Sequence, residues 1–159
     1  MKFNDYYPTV LREIKETLGE IDQANITYFL KQIMDAQRIF IAGVGRTGMV
    51  MRCFAMRLMH LGIKVQIIGD ITTTAVGKND LLLIGSGSGE TGSILSVARK
   101  AHNLGGHILL ITINPESSIG DLAQTCLKIP APSPKLSQNT KNLQFNPWGP
   151  FLSKLYFLL

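Results

Sequence analysis

Apolar positions recur along the chain with two different periods. In TVLREIKETL (residues 9–18), Val10, Leu11, Ile14 and Leu18 share one helical face. Gly19 interrupts the pattern. Asp22 is placed to cap a second helix reaching about Ala36, with Ile26, Phe29, Leu30 and Ile33 on its apolar side. From residue 38 the chain alternates short solid apolar runs with longer amphipathic ones. RIFIAG (38–43), KVQIIGD (64–70), DLLLIGSGSGE (80–90, running into a loop), HILLITIN (107–114) and CLKIP (126–130) read as strands. RTGMVMRCFAMRLMHLG (46–62), TGSILSVARKAHNLGG (91–106) and the shorter SSIGDLAQTC (117–126) read as helices. Alternation of this kind requires right-handed crossovers and a parallel sheet covered on both faces. The predicted fold is α/β: a single doubly wound, flavodoxin-like sheet of five parallel strands in the order 2-1-3-4-5, with helices on both faces. Residues 1–36 are expected to be N-terminal helices packing on the sheet, and residues 37–130 the core domain. Residues 131–159 read as a loop and an aberrant apolar tail. There PAPSPKLSQNTKN (130–142) is rich in proline and serine, and FNPWGPFLSKLYFLL (145–159) is apolar with no clear period.

Composition narrows the classes of function. A chain of 159 residues with 45% apolar content can bury one core. The net charge of +5 comes from scattered basic residues, so no nucleic-acid partner is expected; anionic small molecules fit the charge. No apolar run is long enough for a membrane span, and MKFNDYYPTV has no apolar core of a signal peptide. No membrane association is expected, and a cytoplasmic location is. Cys53 and Cys126 share no motif and read as buried thiols.

Candidate chemistry starts at IAGVGRTGM (41–49). Gly43, Gly45 and Gly48 spell the G-x-G-x-x-G dinucleotide pattern, and Asp70 ends the next apolar run, where an acid would hold a ribose hydroxyl. A second loop, GSGSGETGS (85–93), follows the third strand and opens the next helix. In the predicted order the first and third strands are neighbours at the switch point, where such sheets bind ligands. Two loops therefore face one crevice, each ending in a helix N-terminus that offers N–H groups and a positive dipole end to an anion. The second loop adds the hydroxyls of Ser86, Ser88 and Thr91. A dinucleotide uses only the first loop, whereas a compact phosphorylated ligand uses both. The plain alternative for the first loop is tight turning and close helix packing.

At these residues the sequence resembles the sugar isomerase (SIS) domain family, in particular its 6-phospho-3-hexuloisomerase branch. The resemblance rests on AGVGRTG (42–48), FAMRLMHLG (54–62), GSGSGET (85–91) and ITINPESSIGDLA (111–123), and FAMRLMHLG is the branch-specific part. It implies interconversion of 3-hexulose 6-phosphate and fructose 6-phosphate, the step after formaldehyde fixation in the ribulose monophosphate pathway. It implies no redox cofactor and no metal. It implies a homo-oligomer, dimer or tetramer, in which a neighbour completes each site. By motif match Ser86, Ser88 and Thr91 hold the phosphate with the amides of Gly87 and Gly89, and Gly45 and Thr47 contribute from the first loop.

Such an isomerisation passes through a cis-enediol. A base moves a proton between C2 and C3 while an acid and a positive group stabilise the oxyanion. Arg46 is the candidate cation, or else a solvated arginine at a helix start. Glu90 is the candidate base, or else a carboxylate stabilising a helix N-terminus. His60, at the end of the long helix, is the candidate acid in a neighbour's site, or else a residue that only meets the helix dipole. His102 and His107 receive no role. Met49, Met51, Met56 and Met59 point in too many directions for one buried stripe and suit packing on both sheet and partner, with plain core as the alternative.

The family pattern continues with a Q-P-M-G-(S/T)-L-F-E-Q-like stretch, which carries a suspected catalytic glutamate, and then a long apolar helix. Here the corresponding stretch reads FNPWGPFLSKLYFLL. Codons for Asn146 to Lys154, read from their third base, can encode P-M-G-S-L-F-E-Q, with the single tryptophan codon of Trp148 falling where ATG-G is needed. A frameshift near Phe145 is the expectation, with apolar sheet surface left uncovered. The competing function is a non-catalytic or inactivated sugar-phosphate-binding protein, which shares both loops. A nicotinamide-dependent oxidoreductase is disfavoured because it leaves the second loop unexplained.

Overall fold

The computed structural model describes residues 7–131, so the stretch 132–159, with the proposed frameshift, lies outside the described residues. Two helices, α1 (Tyr7–Gly19) and α2 (Gln23–Asp35), precede the sheet. There follow β1 (Ile39–Ala42), α3 (Gly45–His60), β2 (Val65–Ile67), β3 (Leu81–Gly85), α4 (Gly92–Asn103), β4 (His107–Thr112) and β5 (Thr125–Lys128). The strands lie in the order β2-β1-β3-β4-β5 and every pair is parallel. This is the predicted doubly wound sheet. No helix among the described residues is long and apolar enough to cross a membrane.

β1 and β3 are buried at every position, as central strands covered on both faces must be. Ile39, Ile41, Leu81, Leu83, Leu109, Ile111 and Leu127 form one core with Phe29 and Ile33 of α2 and Met51, Ala55 and Leu58 of α3. Phe40, Ala42, Leu82, Ile84, Ile108 and Leu110 form the other with Ile94, Ala98 and Ala101 of α4. The period-2 alternation of a strand sends successive residues to these two cores.

Local signals hold where one side chain decides them. Asp22 caps α2 by accepting from the Ala24 amide at 2.8 Å. Three expectations are corrected. Val10, Leu11 and Leu30 face outward at 48, 56 and 51% exposure, because only part of each apolar stripe is covered. The expected helix over 117–126 is reduced to one 3-10 turn, Gly120–Leu122, since the chain folds back so closely that a Cβ on Gly120 would lie 1.9 Å from the Pro115 carbonyl oxygen. Cys53 is exposed and Cys126 half-buried. α3 turns Met51, Ala55 and Leu58 inward, and two residues after Met51 is the far side of a helix. Met49, Met56 and Met59 are exposed as well, so only Met51 of the four belongs to the core.

The N-terminal ends of β1 and β3 are clamped by an ion pair. Asp80 accepts from Arg38 Nε at 2.9 Å, from Arg38 Nη2 at 2.6 Å and from the Gly77 amide at 2.6 Å. The guanidinium also lies 4.8 Å from the centroid of the Phe40 ring. The Arg38 hydrogen bonds, the Gly77 amide and the nearby positive charge outweigh burial and hold the Asp80 carboxyl below its ordinary range. A carboxyl with a depressed folded-state pKa stabilises above its unfolded value, and that contribution disappears as pH falls through the folded value. Asp80→Ala is expected to lower Tm by about 5 °C at pH 7. The two melting curves draw together as pH falls below about 4, the unfolded carboxylate value, toward the lower folded one. Calorimetric scans from pH 7 to pH 2.5 test this, and a constant difference across that range contradicts it.

Candidate functional site

The crevice is built by the neighbouring ends of β1 and β3, which run in register with Ala42 beside Ile84. In the first loop the glycines make room for a close crossing. A Cβ on Gly48 would lie 2.6 Å from the Gly43 carbonyl oxygen, and one on Gly43 would lie 3.1 Å from Gly48 Cα. The helix therefore starts directly on the strand end, with Gly45 as its first residue at φ +56°. Arg46 is exposed in the first turn of α3. Thr47 turns its methyl toward β3, where a Cβ on Gly85 would lie 2.9 Å from Thr47 Cγ2. The two loops thus meet, as a shared ligand site requires.

The second loop folds on its own hydroxyls. Ser86 is buried; its Oγ accepts from the Gly89 amide at 3.2 Å and lies 3.3 Å from Thr91 Oγ1. Ser88 Oγ accepts from the Glu90 amide at 3.2 Å. Thr91 occupies the N-cap of α4 with an extended backbone and makes no side-chain capping bond. The α4 N-terminus thus opens on the loop, and its dipole favours an anion there.

A third wall was not read from the sequence. The turn after β4 backs the second loop throughout. Gly87 O accepts from the Ile113 amide at 3.1 Å and from Thr112 Oγ1 at 3.2 Å. Gly89 O accepts from the Ile119 amide at 3.1 Å, and Glu90 Oε1 accepts from the Ser118 amide at 2.7 Å. Bonding to Ser118 holds the Glu90 carboxyl below its ordinary range, because hydrogen bonds to a carboxylate favour its charged form. A cluster of small polar residues, TINPESS, at the same end of the sheet was the available signal.

The structure therefore brings the loop that carries Gly45, Arg46 and Thr47 to the end of β3, where the loop of Ser86, Gly87, Ser88, Gly89, Glu90 and Thr91 begins. It leaves His60 out. His60 ends α3, exposed, 14 residues after Arg46. At 1.5 Å per residue that is roughly 21 Å along the axis, so within one chain it cannot serve this crevice. Asp70, the ribose-binding acid of a dinucleotide reading, pairs instead with Arg52 of α3 at 2.9 Å. His107 lies at the opposite end of the sheet, its Nε2 2.9 Å from Gln32 Oε1.

Comparison with known proteins agrees with this architecture. The SIS domain model matches residues 32–145. The chain is 38% identical over 158 residues to a 3-hexulose-6-phosphate isomerase of Bacillus subtilis, covering 99% of this chain and 85% of that one. It is 41% identical over 119 residues to a 3-hexulose-6-phosphate isomerase of Mycobacterium gastri, covering 75% of this chain and 60% of the relative. A crystal structure from Methanococcus jannaschii, whose inferred molecular function is 3-hexulose-6-phosphate isomerase, superposes with a TM-score of 0.76 at 31% identity, covering 99% of this chain and 85% of that one. The sheet order, the two meeting loops and these likenesses together establish that the chain belongs to the SIS domain family, in the branch that holds proteins named 3-hexulose-6-phosphate isomerase.

Proposed function

We propose that the chain is a sugar-phosphate isomerase that interconverts 3-hexulose 6-phosphate and fructose 6-phosphate through a cis-enediol. The observation that carries the reading is the contact of Thr47 with the end of β3, which joins the two anion-binding loops over one crevice. The names of the relatives support the substrate. In this reading Ser86, Ser88, Thr91, Thr47 and the amides of Gly45, Gly87 and Gly89 hold the phosphate. The sugar extends along the crevice past Arg46. A base takes the C2 proton of the 3-ketose and returns it to C3, while the hydroxyl proton moves from O2 to O3, so the carbonyl arrives at C2 with no net change in oxidation state. Arg46 neutralises the phosphate or the enediolate. His60 acts, if at all, from a second copy of the chain, so a homo-oligomer belongs to the reading, as does a cytoplasmic setting without cofactor.

The test is the rate of fructose 6-phosphate formation from 3-hexulose 6-phosphate by the 159-residue chain, with folding checked by circular dichroism. Turnover is expected. A folded chain that is stabilised by fructose 6-phosphate but does not turn over belongs to the binding-only reading. That reading draws on the unmatched glutamate-bearing stretch of the family pattern. A folded chain indifferent to the sugar phosphate refutes both.

A further inference from the structure

The loop after β3 has the first glycine loop on one side and the turn after β4 on the other. Gly87 O and Gly89 O both turn toward the β4 side, where Ile113, Thr112 and Ile119 donate to them. In a trans peptide the carbonyl and the following N–H point in opposite directions, and no peptide bond among the described residues is cis. The amide of Ser88 is therefore sent away from β4, as is that of Glu90, which donates to Ser88 Oγ at 3.2 Å. Their direction is set from behind. The shortest attachment between loop and turn is the 2.7 Å bond from the Ser118 amide to Glu90 Oε1.

We propose that Glu90 is a positioning residue, a latch whose carboxylate fixes the second loop to the turn after β4 and so holds the path of the loop's backbone, rather than the base of the reaction. The proposal rests on the sugar-phosphate reading of this site for its ligand, and on the loop contacts alone for its geometry. A carboxylate engaged by a backbone amide and held charged by it is a poor acceptor for a carbon-bound proton, and a good strap. Ser117 and Ser118 work from one turn. Ser117 Oγ, which accepts from the Gly120 amide at 3.2 Å, occupies the space beside Gly89 that any Cβ would fill.

Glu90→Ala and Glu90→Gln separate latch from base, because glutamine keeps an acceptor oxygen. Three quantities are measured: exchange of the Ser118 amide proton in the ligand-free protein, the calorimetric Kd of fructose 6-phosphate, and kcat with KM. The latch predicts that Glu90→Ala speeds Ser118 exchange and raises both Kd and KM by about tenfold, with kcat falling less than about threefold. Glu90→Gln should recover most of that loss. A drop in kcat of about 100-fold or more in Glu90→Gln, with KM and Ser118 exchange unchanged, makes Glu90 the base and overturns the proposal. Unchanged exchange in Glu90→Ala overturns it too. If wild-type protein neither turns over nor binds the sugar phosphate, the proposed function fails, while the Ser118 exchange rate still decides the latch.

Discussion

Replacing Gly89 by alanine is expected to weaken fructose 6-phosphate binding by about 100-fold while the sheet stays folded. Two independent costs meet at this position. Gly89 has φ +68°, a conformation that costs an L-residue about 1–2 kcal/mol. A Cβ there would also lie 1.9 Å from Ser117 Oγ and 2.5 Å from Ser117 Cβ, in a buried spot. Overpacking of this kind costs about 1–3 kcal/mol. The free protein escapes both by letting the loop move off the turn after β4, and the anion must then restore the original path to bind. The apparent affinity falls by the fraction of protein that still holds that path. Calorimetry with fructose 6-phosphate measures it. The double variant Gly89→Ala with Ser117→Gly removes the clash and keeps the backbone strain, so it should recover only part of the affinity. An affinity for Gly89→Ala within threefold of wild type would mean that the amides of this loop do not hold the ligand.

The sheet was legible because a strand buried on both faces has to be apolar at nearly every position. IFIA and LLLIG carry no other message, and both are buried throughout. Strand order then followed from crossover handedness and from where the two glycine loops had to meet. Helical periodicity told less. It identified an apolar stripe on α1 and α2 but not what the stripe would touch, so Leu11 and Leu30 were read as inward and are exposed. Composition misplaced Cys53 in the same way. Cysteine is usually buried, but the phase of α3 is fixed by Met51, Ala55 and Leu58, which leaves Cys53 outside.

In the site, the candidate side chains could be picked out from the sequence and the backbone that supports them could not. Ser86, Ser88 and Thr91 stand out because few turns need so many hydroxyls. The turn after β4 works mostly through the amides of Ile113, Ser118 and Ile119, a donor that almost every residue carries, and Thr112 at the end of β4 and Ser118 add their side chains. The small polar cluster TINPESS marks the place of such a turn but not which amides it presents. Glu90 was read as a base or as a carboxylate at a helix N-terminus, and neither reading contained the 2.7 Å bond that its carboxylate accepts from the Ser118 amide. His60 shows the converse limit. Its helix was readable, but the length of that helix carries it to the end remote from the crevice, so its use depends on a second chain.

Arg46→Ala is expected to lower kcat/KM by about 100-fold, within the range seen when one donor to a developing oxyanion is removed. Arg46 sits in the first turn of α3, where the helix dipole already favours negative charge, and on the loop that meets β3 through Thr47. A guanidinium presents a planar fork of donors, so it suits a phosphate or an enediolate with its two adjacent oxygens. The two targets leave different kinetic traces. If Arg46 holds the phosphate, Arg46→Ala raises KM and weakens competitive inhibition by inorganic phosphate, while kcat is little changed. If it stabilises the enediolate, kcat falls and inhibition by phosphate is unaffected. Arg46→Lys keeps the charge and loses the fork, so it should fall between alanine and wild type in either case. The enediolate trace is the expected one, because in the proposed reading the second loop already supplies a helix N-terminus and three hydroxyls to the phosphate, whereas among the described residues of one chain Arg46 is the cation that the loops themselves carry. A kcat/KM for Arg46→Ala within threefold of wild type would return Arg46 to the solvent-facing role and move the search for the oxyanion's partner to the neighbouring chain.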